Sequence, residues 1–273
     1  MCASKKIGLI AGQGELPEML LKKWEETGLT PVIIGLNGFT SVELTFGRIS
    51  KFFSIGQAGG ILNFLKSEGV TKLVMVGGLK RPNFLTLRTD FVGLGIILKL
   101  LFRHMGDDGL LKFIRREIEK FGIHVAGVHE YLPEILCPEG VLGNIQPTAE
   151  DLKLIAKGFD IAKKHGAEDK GQSVIVTQDG TFGFETKEGT NALISSYQNS
   201  SGHILVKVSK PQQDLAFDMP TIGIKTIELC HQSGFKGIAV EMGKTIIMDR
   251  HRVIEMCNQY KLFLVGTESS NDI

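Results

Sequence analysis

Short apolar runs alternate with amphipathic segments through the first third of the chain, and this alternation constrains the fold more than any other feature. Four runs have the length of buried strands: Lys5–Ala11, Pro31–Gly35, Ile49–Ile55 and Lys72–Val76. Strands that alternate with helices pair in parallel, because each crossover helix returns the chain to the same end of the sheet. The sequence therefore predicts an α/β fold that begins with a Rossmann-like, doubly wound parallel sheet.

The second half of the chain predicts a separate α/β domain. Prolines and glycines gather over residues 131–147, which is typical of a linker. Thr148, with Asp151 three residues on, indicates a helix cap. Helical and strand-like segments alternate after it, among them a strand over Thr245–Met248, and Asp179-Gly180 between two strand-like runs indicates a hairpin. We predict an N-terminal Rossmann-like domain over residues 1–130, a linker over 131–147 and a C-terminal catalytic domain over 148–273.

Charge and cysteine usage exclude several classes of function. The 31 Lys and Arg residues nearly balance the 30 Asp and Glu residues, so no general attraction to nucleic acid is expected. The four cysteines include no Cys-x-x-Cys pair and the histidines no His-x-x-x-His pair, which disfavours a disulfide scaffold or zinc. The most apolar run, Phe91–Phe102, lies in a predicted helix Phe91–Met105 and is far shorter than the ~20 residues that span a bilayer. A soluble, cytoplasmic protein is expected.

The stretch Lys210–Gly223 presents two carboxylates, Asp214 and Asp218, between two prolines that disfavour a regular helix. Residues four apart point to roughly one side, whether the chain turns or extends. Two acids that share one space suit a divalent cation or general-base chemistry. The other interpretation is a solvated turn in which Asp218 caps the following helix.

Two turns that follow predicted strands could hold an anion. Gly12-Gln13-Gly14 could aim helix N-terminal amides at a phosphate, or could be a plain tight turn. A nicotinamide fingerprint is disfavoured, because Pro17 stands where its third glycine belongs. The basic pair Lys80-Arg81 follows the fourth strand, where open α/β sheets place their ligands; a solvated loop is the other interpretation.

Acidic and hydroxyl side chains supply further candidates. Asp107 and Asp108, between two glycines, could cap a helix or bind a metal ion. The group Glu188-Gly189-Thr190 precedes a predicted helix and could cap it or hold a ligand. Oxygen ligands without histidine favour Mg²⁺, and the acids of the second domain that could supply them are Glu185, Glu188, Asp214 and Asp218.

Six motifs, taken together and in order, resemble the LpxI family, the UDP-2,3-diacylglucosamine pyrophosphatases of bacterial lipid A synthesis. They are Gly12-Gln-Gly-Glu-Leu-Pro17, Lys80-Arg-Pro82 with Arg88-Thr-Asp90, Gly106-Asp-Asp-Gly-Leu-Leu111, Asp169-Lys-Gly-Gln-Ser173, Glu188-Gly-Thr190, and Lys210-Pro-x-Gln-Asp214 with Asp218-x-Pro220-Thr-Ile-Gly223. Each motif is short, but six in the same order along almost the whole chain are specific.

The resemblance implies an Mg²⁺-dependent hydrolase that splits UDP-2,3-diacylglucosamine into UMP and 2,3-diacylglucosamine 1-phosphate (lipid X), with water attacking the sugar-side phosphorus. It also implies a homodimer that binds a lipid-linked UDP-sugar and makes peripheral contact with the inner membrane. A non-catalytic binder of a nucleotide-linked sugar or lipid is the second hypothesis. It draws on two departures from the family: Asn191, where an aspartate is usual, and Ala216, where an arginine is frequent.

The resemblance also implies roles for particular residues. Asp218 is expected to be catalytic, with Asp214 next, and Asp214, Asp218 and Glu188 are the expected metal ligands. The expected substrate contacts are Gly12, Gln13, Gly14, Lys80, Arg81, Asp107, Asp108, Gln172, Gly189, Thr190, Lys210, Gln213 and Thr221.

Overall fold

The chain divides into two compact units, Met1–Pro133 and Glu134–Ile273. The computed structural model describes residues 6–79, 88–95, 107–198 and 201–268. Each unit has its own sheet and its own helices, so the predicted α/β class with two domains is confirmed. Among the described residues, no helix is long and apolar enough to cross a membrane.

The first unit is built on a parallel sheet. Its strands are β1 (Lys6–Ala11), β2 (Thr30–Leu36), β3 (Ile49–Phe53), β4 (Lys72–Val76) and β5 (His124–Ala126). Its helices are α1 (Leu16–Glu26), α2 (Ala58–Ser67) and α3 (Asp107–Glu119). The strand order is β3-β2-β1-β4-β5, and every pair is parallel. The order reverses between β1 and β4, as in a doubly wound sheet.

Burial on both faces explains why the first strands are continuous apolar runs. All residues of β1 and β2 except the first of each are buried. Leu20, Leu21 and Trp24 of α1 are buried as well, and Pro17 occupies the first turn of this helix, where a missing N–H costs nothing.

Asp90, the last residue of the Arg88-Thr-Asp90 motif, accepts a hydrogen bond from the first turn of α2. Its Oδ2 accepts a hydrogen bond from the Gly60 N–H at 2.8 Å, and its Oδ1 accepts one from the Gly93 N–H at 2.8 Å. Burial opposes ionisation of this carboxyl, but the backbone N–H donors outweigh burial and lower its pKa. This part of the motif therefore has a structural function.

The predicted helix Phe91–Met105 can be followed only at its start. Residues 91–95 are helical, and Phe91 is 95% exposed. The remainder of the prediction lies outside the described residues. The next described residue, Asp107, already lies in α3, and acidic residues are favourable in a first helical turn.

In its described residues, the second unit combines a mixed sheet with four α-helices. Its strands are β6 (Gly140–Leu142), β7 (Ser173–Val176), β8 (Phe182–Phe184), β9 (Ile204–Lys207), β10 (Thr221–Ile222), β11 (Gly237–Glu241), β12 (Ile246–Ile247) and β13 (Phe263–Thr267). Its helices are α4 (Ala149–Ala167), α5 (Thr190–Ser195), α6 (Ile224–Gln232) and α7 (Arg250–Tyr260). The six-stranded sheet has the order β6-β13-β11-β9-β7-β8, and β10 pairs with β12 separately. β9, β11 and β13 are parallel to one another, whereas β6 and β7 are antiparallel to their neighbours.

Two hydrophobic clusters cover the two faces of the six-stranded sheet. On one face, Phe159 of α4 packs in a cluster with Val206 of β9. On the other face, Leu205 of β9 clusters with buried residues of α5, α6 and α7. Successive strand residues point to opposite faces, so Lys207 lies on the same face as Leu205.

Local sequence signals locate several elements of this unit correctly. Thr148 and Asp151 form the predicted capping box of α4. Gly180, with a φ of +80°, lies in the predicted hairpin between the antiparallel strands β7 and β8. In contrast, β6 lies inside the predicted linker 131–147 and pairs with β13. A strand of three residues, bounded by proline and glycine, has no periodicity from which it could be recognised.

Asp90→Ala is expected to lower the free energy of unfolding by about 1–2 kcal/mol, because N–H groups at a helix start lose their acceptor. The folded-state pKa is lowered, so the stabilisation is present above the unfolded pKa of about 3.9 and is lost as the pH falls through the folded value. Denaturant titrations at neutral pH and near pH ~3 measure the size of the stability loss and its dependence on pH. Glu15→Ala is the control, because Glu15 stands at the N-cap of α1 without a side-chain capping bond. A pH-independent loss in Asp90→Ala would contradict the assignment.

Candidate active site

One edge of the six-stranded sheet gathers polar residues from four strands. Lys207 ends β9 and pairs with Ser173, which begins the antiparallel strand β7. Glu241 ends β11, and Glu185 directly follows β8. The carboxyl ends of parallel strands are where open α/β sheets bind ligands. The topology therefore brings these side chains to one edge without any loop rearrangement.

Thr190, the first residue of α5, is the centre of a hydrogen-bonded cluster at this edge. Its hydroxyl donates to Glu185 Oε1 at 2.7 Å and accepts from Lys207 Nζ at 3.0 Å. It also contacts Ser173 Oγ at 2.9 Å. Ser173 is the donor there, because the single Thr190 hydrogen goes to a carboxylate that only accepts. The second carboxylate oxygen, Glu185 Oε2, accepts from the Gln172 N–H at 2.7 Å.

Lys207 is a buried cation, with 7% of the residue exposed. Burial lowers the pKa of its ammonium group, whereas the carboxylates of Glu185 and Asp218 act in the opposite direction. The ammonium group is also connected to Glu185 through the Thr190 hydroxyl. The site thus combines one buried positive charge with two negative ones.

Three residues predicted from the sequence are brought together at Asp218. Gln213 Nε2 donates to Asp218 Oδ2 at 2.6 Å, and Gln172 Oε1 lies 3.4 Å from the same nitrogen. Gln213 Oε1 in turn accepts from the Lys210 N–H at 3.0 Å. Because the Gln172 N–H binds Glu185, Asp218 is connected to the Thr190 cluster.

The loop that carries the two aspartates is a series of tight turns, as its prolines predict. The Asp218 N–H donates to the Asp214 carbonyl at 3.1 Å and closes a helical turn. The Asp214 carboxylate is turned onto this loop, where Oδ1 accepts from the Ala216 N–H at 3.2 Å. Ala216, which stands where the family frequently has an arginine, therefore contributes a backbone donor to this loop.

Ser209, which precedes this loop, is held at both backbone groups. Glu241 Oε2 accepts from the Ser209 N–H at 2.8 Å and from its hydroxyl at 2.7 Å, while Lys163 Nζ donates to the Ser209 carbonyl at 2.9 Å. Lys163 and Lys244 both form ion pairs with Glu241. Burial opposes ionisation of Glu241, but the two ammonium groups and Ser209 outweigh it and lower the pKa of this carboxyl.

The other predicted contacts in this unit have local roles. Lys210 Nζ donates to Asp169 Oδ1 at 2.7 Å. Thr221 is exposed, and its hydroxyl donates to a carbonyl of its own loop at 3.1 Å. Glu188 is exposed, and Gly189, with a φ of +87°, stands at the N-cap of α5. Their contacts with a substrate stay predictions.

The predicted metal ligands Asp214, Asp218 and Glu188 do not form a closed cage. Across the described part of the chain, no group of three or more His, Cys, Asp or Glu side chains is placed to hold a metal ion. Mg²⁺ usually takes one or two carboxylates and completes its shell with water and substrate phosphates. The magnesium site therefore stays a prediction, and it does not require three or more protein ligands.

In the first unit, the predicted glycine turn packs against the end of β4. The Gln13 N–H donates to the Gly78 carbonyl at 2.9 Å, and the Gly78 N–H donates to the Gln13 carbonyl at 2.7 Å. A Cβ on Gly12 would lie 2.7 Å from backbone atoms of Gly77, so glycine is required there for close approach. A ligand contact in this turn would fall to the exposed Gln13 side chain and to Gly14, which has open space around it.

Four predicted substrate contacts fall where the structure gives no description. Lys80 and Arg81 lie outside the described residues, and so do the side chains of Asp107 and Asp108. Their predicted roles stay predictions.

The sequence predictions missed two residues of the cluster, Lys207 and Ser173, and did not place Glu185 in the site. A signal for Lys207 was present, since it interrupts the apolar run Ile204-Leu-Val-Lys-Val208, and a lysine in a strand buried on both faces needs compensation. Ser173 ends the motif Asp169-Lys-Gly-Gln-Ser173, but no role was predicted for it.

The fold and this cluster define a two-domain α/β protein with a buried, charged site at one edge of the sheet in its second domain. Profiles of the LpxI N-terminal domain and the LpxI C-terminal domain match residues 6–135 and 138–265. The chain belongs to the LpxI family, and the resemblance stated from its six motifs is confirmed.

A curated relative and a solved structure complete the comparison. The UDP-2,3-diacylglucosamine pyrophosphatase LpxI of Caulobacter vibrioides is 32% identical over 275 residues, which cover 97% of this chain and 98% of that protein. The biotin carboxylase domain of the Hydrogenobacter thermophilus 2-oxoglutarate carboxylase aligns with a TM-score of 0.26 at 16% identity, over 71% of this chain and 39% of that one. That second likeness is too low to support any argument.

Lys163→Met is expected to lower the free energy of unfolding by about 3 kcal/mol, because it leaves Glu241 buried with one ammonium partner fewer. The double variant Lys163→Met/Glu241→Gln should lose less free energy of unfolding than the two single variants lose together. The reason is that Glu241→Gln removes the charge that Lys163→Met leaves without this partner. Denaturant titrations of the wild type and the three variants give this coupling energy. Strict additivity would show that the two side chains do not act as a pair.

Proposed function

We propose that this chain hydrolyses the pyrophosphate bond of UDP-2,3-diacylglucosamine to UMP and 2,3-diacylglucosamine 1-phosphate in lipid A biosynthesis, in a metal-assisted reaction. The pyrophosphatase of Caulobacter vibrioides, similar over nearly the full length of both chains, supports the substrate. The observation that carries the proposal is the Asp218 carboxylate, which Gln213 fixes at Oδ2 and which favours the charged form of the buried Lys207 ammonium group.

Asp218 is the proposed general base. Gln213 holds Oδ2, and a carboxylate fixed at one oxygen presents the other in a defined direction. A water oxygen bonds to the sugar-side phosphorus, and the bond from this phosphorus to the bridging oxygen breaks. The electron pair of that bond leaves with UMP, and a proton of the water passes to Asp218. The lipid keeps the attacked phosphorus as its 1-phosphate.

The donor set fits Mg²⁺ by its chemistry, because the carboxylates of the second unit offer hard oxygen ligands. Asp218 and Asp214 would hold the ion, with Glu188 as a third ligand. When bound, Mg²⁺ would neutralise charge on the pyrophosphate oxygens. The homodimer, the cytoplasmic location and the contact with the inner membrane stay predictions of the same proposal.

Asp218→Asn tests the role of this carboxylate, because asparagine can still accept the Gln213 hydrogen bond but can neither take a proton at neutral pH nor offer a charged oxygen to a metal ion. UMP release is expected to fall by a factor of about 10²–10⁴ with an unchanged melting temperature. Asp179→Asn is the matched control, since Asp179 lies in the exposed turn after β7, at the other end of that strand from Ser173; it should keep wild-type activity.

Hydrolysis in H₂¹⁸O tests which phosphorus is attacked. The label is expected in the lipid 1-phosphate and not in UMP, because the water oxygen stays on the attacked phosphorus. Wild-type activity in Asp218→Asn would contradict the proposed base, and label in UMP would contradict the proposed side of attack. Binding of the substrate by the wild type without any UMP release would favour the non-catalytic binder instead.

A further inference from the structure

The ammonium group of Lys207 has more donors than its surroundings use. A lysine ammonium carries three N–H donors. Among the described residues, Lys207 Nζ makes one hydrogen bond, to Thr190 Oγ1 at 3.0 Å, although the residue is only 7% exposed. Buried polar groups are normally hydrogen-bonded, and an unsatisfied charged donor is costly. The two remaining donors therefore point to an acceptor that is not part of the cluster.

The neighbours of Lys207 bind mainly to one another, and among the described residues its ammonium group makes no hydrogen bond to Glu185. The Thr190 hydroxyl uses its hydrogen for Glu185 and its two lone pairs for Lys207 and Ser173. Glu185 accepts at both oxygens, from Thr190 at Oε1 and from the Gln172 N–H at Oε2. These bonds fix the position of Thr190, and Thr190 holds the ammonium group through one of its three donors, so that Lys207 is a preorganised donor.

We infer that Lys207 donates its two remaining N–H groups to phosphoryl oxygens of the bound ligand and is a phosphate-binding residue of this site. The inference rests on the proposed function, because it takes the pyrophosphate of a uridine nucleotide as the ligand. Lysine is a suitable point charge for phosphate. Its stem is buried between the sheet and α5, so the charge is held in place and little side-chain entropy is lost when the ligand binds.

Calorimetric titration with UDP in the presence of Mg²⁺ measures this contact. Lys207→Met is expected to weaken UDP binding at least ~10-fold, the effect of one charge-assisted hydrogen bond, and Lys207→Arg should retain most of the affinity. Uridine, which has no phosphate, should bind equally to wild type and Lys207→Met. Lys236→Met is the matched control: Lys236 directly precedes β11, at the opposite end of the sheet, and pairs with Asp151. It should bind UDP as the wild type does.

A spectroscopic measurement on the wild type covers the case in which Lys207→Met fails to fold. The ¹⁵Nζ resonance of Lys207, assigned by its disappearance in Lys207→Arg, is expected to shift when UDP is added. An unmoved resonance at saturating UDP would overturn the inference and show that internal water occupies the two donors. Unchanged UDP affinity in a folded Lys207→Met variant would overturn it as well.

The outcomes separate this inference from the proposed function. A wild type that binds UDP through Lys207 but releases no UMP would remove the proposed hydrolysis and keep the phosphate contact. A wild type that releases UMP, with a Lys207→Met variant of unchanged KM and UDP affinity, would remove the phosphate contact and keep the hydrolysis. A wild type that binds no UDP would remove the contact.

Discussion

The candidate site depends on the compensation of one buried charge, the ammonium group at the end of β9. Moving an isolated ammonium from water into a protein interior is strongly unfavourable. Lys207 is tolerated because Thr190 accepts from it and because Glu185 and Asp218 lie near enough to oppose the loss of its charge. The same interaction fixes the first residue of α5, since Thr190 begins that helix. Helix position and site electrostatics are therefore coupled.

A second compensated charge, Glu241, holds the residue that lies two positions further along the chain. Ser209 is held by Glu241 at its N–H and by Lys163 at its carbonyl, and the loop with Asp214 and Asp218 follows directly. The departure point of this loop is thus fixed by two independent networks, one through Lys207 and one through Glu241. A functional carboxylate on a loop needs this support, because loose placement by even ~1 Å is costly for catalysis.

The sequence predicted those parts of the molecule that local physics determines. The alternating apolar runs predicted that the first sheet is parallel, and Thr148 with Asp151 predicted the start of α4. β6 could not be predicted, because its three residues are a strand only through pairing with β13. The strand β12 was predicted, but its pairing with β10 rather than with the main sheet could not be. Pairing across long sequence separations leaves no local signal.

The residues of the candidate site likewise fall into those that the sequence predicted and those that it did not. Motif residues such as Asp218, Gln213, Gln172 and Thr190 were predicted, and the structure connects them. The predicted motifs did not separate ligand contacts from structural contacts: Asp90 binds helix amides, and Gly12 permits a close backbone approach. Lys207 shows the opposite error. It belongs to no motif, and its interruption of an apolar run indicates a functional residue only once both faces of β9 are known to be buried.

The charges of the cluster also constrain how it could take a pyrophosphate. The charges that act on one another here are one ammonium group, Lys207, and two carboxylates, Glu185 and Asp218. Their sum is one negative charge before any ligand binds. A pyrophosphate is itself anionic, so Coulomb repulsion would oppose its binding unless further positive charge is supplied. Lys210 is paired with Asp169, and Ala216 contributes no side-chain charge. A divalent cation bound together with the ligand would reverse the sign of this balance, which is the physical reason to expect a metal-assisted reaction from a site that has no metal cage among its described residues.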